Sequence, residues 1–211
     1  MLFDIFRDPV LLLSRLFVLV VAFSVHEFAH AWTADRFGDN TPRANGRLTL
    51  NPLAHLDPIG SLLLLLGGFG WAKPVPVNPY ALGRNSPAAL MWVSLAGPGS
   101  NLLMAILGAI PLRLGLVSIS GFGPISGDFA ANFLNEFVWI NLALMVFNLI
   151  PLAPLDGEKI ADYFFPPSWS RFLDRIRPYS PFILLLLVFS GILSMLMLPP
   201  LSTLFLLLVG Y

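Results

Sequence analysis

The chemistry of this sequence concentrates in one five-residue stretch, His26-Glu27-Phe28-Ala29-His30. On a helix, positions four apart share a face, so both imidazoles can bind one zinc ion. Glu27 beside them can take a proton from an attacking water and return one to a leaving amine. The same five-residue pattern also arises by chance on ordinary helices. Here it follows an apolar run from Val10 to Val25, and two histidines and a glutamate are costly at membrane depth unless paired, liganded or functional. A catalytic zinc takes three protein ligands, and with no cysteine in the chain the third must be His, Asp or Glu. Asp156 is the candidate, a lone carboxylate just past an apolar helix and close to Pro151 and Pro154. Its plainer reading is an interfacial Asp in a turn.

The elements that must position these residues are membrane helices. Hydrophobic residues make up 56% of the 211 and charged residues only 11%, with a mean hydropathy of +0.78, far from a soluble balance. Twelve basic and twelve acidic residues cancel, which argues against nucleic acid as a partner. The length suits a single domain, residues 1–211, with a core over 9–160 and a C-terminal helical hairpin, or helix plus tail, over 181–211. The N-terminus shows no cleavable secretory pattern.

Segment A runs from Pro9 to Phe37, with Asp8 as N-cap and Arg15 snorkelling to the near surface. Segment C, Ala88 to Leu112, is long and uncharged and reads as a spanning helix. Segment D follows Asp128, and segment E covers Phe182 to Leu198, with Pro199-Pro200 cutting off a short hydrophobic tail. Segment B, Ile59 to Phe69, would cover only ~17 Å of a ~30 Å core as a helix, which suits a re-entrant segment. The expected fold is therefore an all-α polytopic membrane protein with about four spanning helices, a re-entrant segment and a hydrophobic tail.

Taken together, these motifs resemble the site-2 protease family of intramembrane zinc metalloproteases. His26 to His30 is similar to the family's zinc helix, and Asn148-Leu-Ile-Pro151-Leu-Ala-Pro154-Leu-Asp156-Gly157 to its segment carrying the third ligand. Ala96-Gly97-Pro98-Gly99-Ser100-Asn101 resembles its Gly-Pro-x-x-Asn element. The stretches from Gly46 to Pro52, His55 to Gly60 and Trp71 to Pro79 resemble a small bacterial and archaeal branch without PDZ or nucleotide-binding domains. Ala153, Glu158 and Lys159 depart from the usual residues without touching a ligand position. The resemblance implies one zinc per chain held by His26, His30 and Asp156, Glu27 as catalytic base, and transmembrane proteins within the lipid bilayer as substrates.

Other residues offer supporting roles. His55, in a turn-rich loop, can orient a scissile carbonyl, support the metal indirectly, or stabilise its own loop. Asn101 and Asn148 can hydrogen-bond an extended substrate or tie helices together. Leu48-Thr49-Leu50 alternates like a short strand. Arg171, Arg175 and Arg177 suit a solvated face near anionic headgroups.

The metal also constrains topology. If segment B spanned, A and D would run in opposite directions and His30 and Asp156 would lie on opposite sides of the membrane. With B re-entrant, A and D are parallel, and nine basic residues fall on one side against two, a bias that places the nine on the cytoplasmic side; the resemblance implies a prokaryotic cytoplasmic membrane, with the site toward that side. The all-spanning arrangement gives seven against four. A rival function is a metal or proton transporter using the same His, Glu and Asp cluster, though a transporter needs polar access from both sides. A catalytically dead scaffold is disfavoured by the intact Glu27.

Overall fold

The computed structural model describes residues 9–60, 70–117 and 129–210. Its first helix, α1, covers Pro9–Arg36 and ends at Gly38, whose left-handed φ of 84° breaks the ladder. The polar stretch that follows holds the short α2, Thr41–Ala44, and α3, Pro79–Asn85, the latter capped by the Asn78 side chain. Next come α4, Ala89–Arg113, and α5, Phe129–Asn148. Then α6, Asp156–Phe164, and α7, Pro167–Ile176, precede α8, Ser180–Phe189, and α9, Ile192–Val209. Four of these, Val10–Arg36, α4, α5 and α9, are long and apolar enough to cross a membrane, and the chain is an integral membrane protein. Side chains such as Phe17, Leu103, Leu107 and Leu207 stay exposed along them, a surface suited to lipid and not to water.

Helix directions follow from side-chain contacts. His26 and His30 of α1 meet Asn101 and Val93 of α4 in reversed order, so α1 and α4 are antiparallel. Arg15 and Glu136 join the early turns of α1 and α5 through two hydrogen bonds of 2.8 and 2.6 Å, and those two helices run parallel. Arg113 at the end of α4 donates to the Leu207 carbonyl at 2.6 Å, aligning α9 with α4. Small residues of α4, Ala105 and Ala109, let Val138, Leu142 and Met145 of α5 and Leu201, Phe205 and Val209 of α9 close into one apolar seam.

Three expectations need correction. Arg15 does not snorkel; Glu136 lies close enough to neutralise it, which is cheaper than stretching toward a headgroup. The C-terminal span is Ile192–Val209, not 182–198. The break falls at Gly191, which has a φ of 75°, while Pro199 and Pro200 lie inside α9. There the hydroxyls of Ser202 and Thr203 donate to the Pro199 carbonyl. Residues 48–50 form no strand; nearby, the pairing among the described residues is an isolated antiparallel bridge between Leu56 and Ala72.

The Asp8 cap and residues 61–69 of segment B lie outside the described residues. Their flanks are described, and they meet. Lys73 N–H donates to the His55 carbonyl at 2.7 Å, and a Cβ on Gly60 would overlap the Trp71 carbonyl. Ends of a spanning segment would instead stand ~30 Å apart.

Replacing Glu136 by Leu should strand Arg15 and lower stability in detergent by about 2 kcal/mol, less than the ~3–5 typical of a fully buried pair because both side chains are partly exposed. The double variant Arg15→Leu, Glu136→Leu should regain most of that loss in a thermal melt. A double variant as unstable as the single one would remove the pair from this account.

Candidate metal centre

Helix α1 presents His26 and His30 on one face, both buried. The facing stripe of α4 is Val93, Gly97 and Asn101, one turn apart each. His30 Nδ1 lies 2.7 Å from the Val93 carbonyl and His26 Nδ1 lies 2.6 Å from Asn101 Oδ1. Gly97 sits between these contacts, where a Cβ would overlap both imidazoles. Only a residue without a side chain lets α4 come this close.

Asp156 reaches the same point from a third direction. Helix α5 stops at Asn148, and Pro151 and Pro154 keep the following residues out of a helix. Gly157 packs so tightly on the Leu149 and Ile150 carbonyls that a Cβ has no room, and the chain turns back at once into α6, with Asp156 as its first residue. A carboxylate in a first helical turn is favoured by the helix dipole.

The result is a cluster of three ligand atoms. Asp156 Oδ2 stands 3.2 Å from the Nε2 atoms of both His26 and His30, which are 3.0 Å from each other. Tetrahedral ligands ~2.0–2.1 Å from a zinc ion lie ~3.3 Å apart, so the spacing fits. The chemistry fits as well, because a Nδ1 that donates to a carbonyl leaves Nε2 with a bare lone pair pointing at a carboxylate oxygen. Such a meeting of acceptors calls for a cation, and the three residues can hold a metal ion.

Glu27 is buried beside this group, and its Oε2 accepts the Val75 N–H at 3.1 Å. Val75 is held there by Arg47, which is buried and donates to the carbonyls of Ala54, Lys73 and Pro74. Burial lowers the pKa of Arg47 and the nearby Glu27 charge offsets part of that.

Among the supporting candidates, only Asn101 touches the cluster. His55 is fully buried and its Nε2 bonds the Thr49 carbonyl at 2.7 Å, a loop contact. Asn148 donates to the Leu144 carbonyl of its own helix at 3.0 Å. Sequence reasoning missed the roles of Val75, Arg47 and Asn141, the last being the partner of Asn101. Asn141 was visible as an amide inside an apolar helix, seven residues before Asn148 and so near its face.

Substituting Gly97 by Ala should displace both imidazoles and reduce zinc affinity at least tenfold, although Ala favours helix by ~1 kcal/mol. Gly99→Ala, where a Cβ meets nothing within 4 Å, should leave affinity unchanged. Equal zinc binding by the two variants in a chelator competition would contradict the close-approach argument.

Comparison with known proteins agrees with this geometry. Residues 112–191 match the family described as Peptidase family M50. Three relatives are named "Putative zinc metalloprotease": YwhC of Bacillus subtilis is 41% identical over 175 residues, covering 81% of this chain and 77% of its own. Rip2 of Mycolicibacterium smegmatis is 31% identical over 189 residues, covering 84% and 69%. Rip2 of Mycobacterium tuberculosis is 32% identical over 192 residues, covering 86% and 70%. No solved structure matches. The transporter reading gains no support from these relationships. With membrane-length helices around a metal-binding group, this chain belongs to peptidase family M50, the site-2 protease family of intramembrane zinc metalloproteases.

Proposed function

We propose that this chain hydrolyses peptide bonds within transmembrane substrate helices, at a zinc ion held by His26, His30 and Asp156, with Glu27 as the catalytic base. The observation that carries the assignment is the meeting of three ligand atoms from two separate helices within 3.2 Å. When bound, zinc supplies a Lewis acid that polarises the scissile carbonyl and makes water acidic enough to attack near neutral pH. The protein's part is to place a base. Glu27 accepts the proton of the attacking water and delivers it to the departing amine, while the Val75 N–H fixes one of its carboxylate oxygens. The arm of residues 70–78 thereby sets the base's orientation.

Depth follows from α1. His30 lies six residues before Arg36, which is ~9 Å along the helix. A substrate bond must therefore reach the metal below the membrane surface at which α1 ends. The basic residues that gather on that side support reading it as the cytoplasmic face, of a prokaryotic membrane given the bacterial relatives. An intact α-helix shields its carbonyls in hydrogen bonds, so the substrate has to unwind before attack. The supporting side chains divide accordingly. Asn101 orients His26, His55 stabilises the loop that carries Arg47, and Asn148 serves the end of α5.

Glu27→Gln should keep full zinc occupancy, because no ligand is touched, and should slow cleavage of a single-pass test substrate by about 10²-fold or more. The wild-type cut should map to the cytoplasmic third of the substrate helix. Activity within tenfold of wild type in the Gln variant would overturn the role given to Glu27.

A further inference from the structure

The two histidines of the cluster are fixed in different ways. His30 Nδ1 faces a backbone carbonyl, that of Val93. A carbonyl only accepts, so Nδ1 carries the proton and Nε2 keeps the lone pair a metal needs. His26 Nδ1 faces the side-chain amide of Asn101. An amide can present either its oxygen or its NH₂, and the second choice would move the proton of a neutral imidazole to Nε2, where it blocks ligation. Asn101 alone therefore does not define the tautomer of His26.

The definition comes from α5. Asn101 Nδ2 stands 3.0 Å from Asn141 Oδ1, and Asn141 Nδ2 stands 2.8 Å from the Phe137 carbonyl. Both amides are fully buried, so neither can turn to water. The Phe137 carbonyl is an obligate acceptor, and it sets the sense of the whole row. Asn141 must donate to it and so turns its oxygen toward Asn101. Asn101 must then donate to that oxygen and turn its own oxygen toward His26. His26 in turn donates from Nδ1 and leaves Nε2 bare. A reversed Asn101 would set two buried acceptors against each other.

We propose that Asn141 is a positioning residue for the metal, fixing the tautomer of His26 from two side chains away. The proposal rests on the reading of His26 as a ligand. A mere tie between α4 and α5 would use the same two amides, so the test must separate polarity from packing.

Two substitutions do so. Asn141→Leu keeps similar bulk and removes both ends of the amide, leaving Asn101 free to turn. Asn141→Asp still offers an oxygen to Asn101, and when protonated it also donates to the Phe137 carbonyl. Zinc affinity of the full chain in detergent, read by chelator competition, should fall 10–100-fold in the Leu variant and stay within about threefold of wild type in the Asp variant. His26→Ala serves as the control. If it binds zinc like wild type, the ligand reading itself has failed.

If His26→Ala loses zinc while the Leu variant keeps wild-type affinity, or the Asp variant falls as far as the Leu variant, Asn141 is only a tie. Nitrogen-15 spectra of the zinc-loaded, histidine-labelled wild type decide the matter even if the Leu variant does not fold. His26 is one of three histidines and should show its proton on Nδ1 and the metal on Nε2. The opposite assignment would overturn the proposal.

Discussion

Two imidazole nitrogens and a carboxylate oxygen, all carrying lone pairs, are brought within 3.2 Å of one another among apolar helices. Left to themselves these groups repel, and at membrane depth there is little water to screen them. Much of the rest of the molecule works to force that meeting. The stripe Val93, Gly97 and Asn101 brings α4 against the histidines, Pro151 and Pro154 end α5, and Gly157 folds the chain back so that Asp156 faces them. The stability lost in crowding these acceptors is recovered when a divalent cation binds, which couples metal affinity to the packing of three helices.

The same requirement fixes topology. Ligands from α1 and from Asp156, just beyond the end of α5, can share an ion only if α1 and α5 run the same way, and the Arg15–Glu136 pair at their opposite ends records that they do. An odd number of crossings between them is then needed. α4 supplies that one crossing, and Gly60 and Trp71, the described residues on either side of 61–69, lie in contact. The loops on that side gain a role from this. Arg47 and the bridge between Leu56 and Ala72 set Val75 against the base, so the soluble-looking part of the chain completes a site built by membrane helices.

Much of this was legible in the sequence because it depends on local spacing. The pair His26 and His30 follows helical periodicity, Asp156 stands out as a carboxylate after an apolar run, and long uncharged stretches announce α4 and α5. What escaped depends on contacts distant in sequence. Nothing near Arg15 reveals that Glu136, 121 positions away, will neutralise it. The last span was misplaced because two prolines in a row read as a stop, whereas the helix Ile192–Val209 runs through them and Gly191 makes the break instead. Asn141 was passed over for a related reason, since an amide in an apolar helix gains meaning only from the Asn101 it meets.

X-ray absorption at the zinc edge of the purified, metal-loaded chain bears most directly on the central claim. The account predicts two imidazole nitrogens and carboxylate oxygen at ~2.0–2.2 Å, with the zinc bound at least tenfold more weakly in Asp156→Asn, which keeps the shape of the side chain but loses its charge. A single imidazole in the wild-type spectrum, or an Asp156→Asn protein that binds zinc as tightly as the parent, would contradict it.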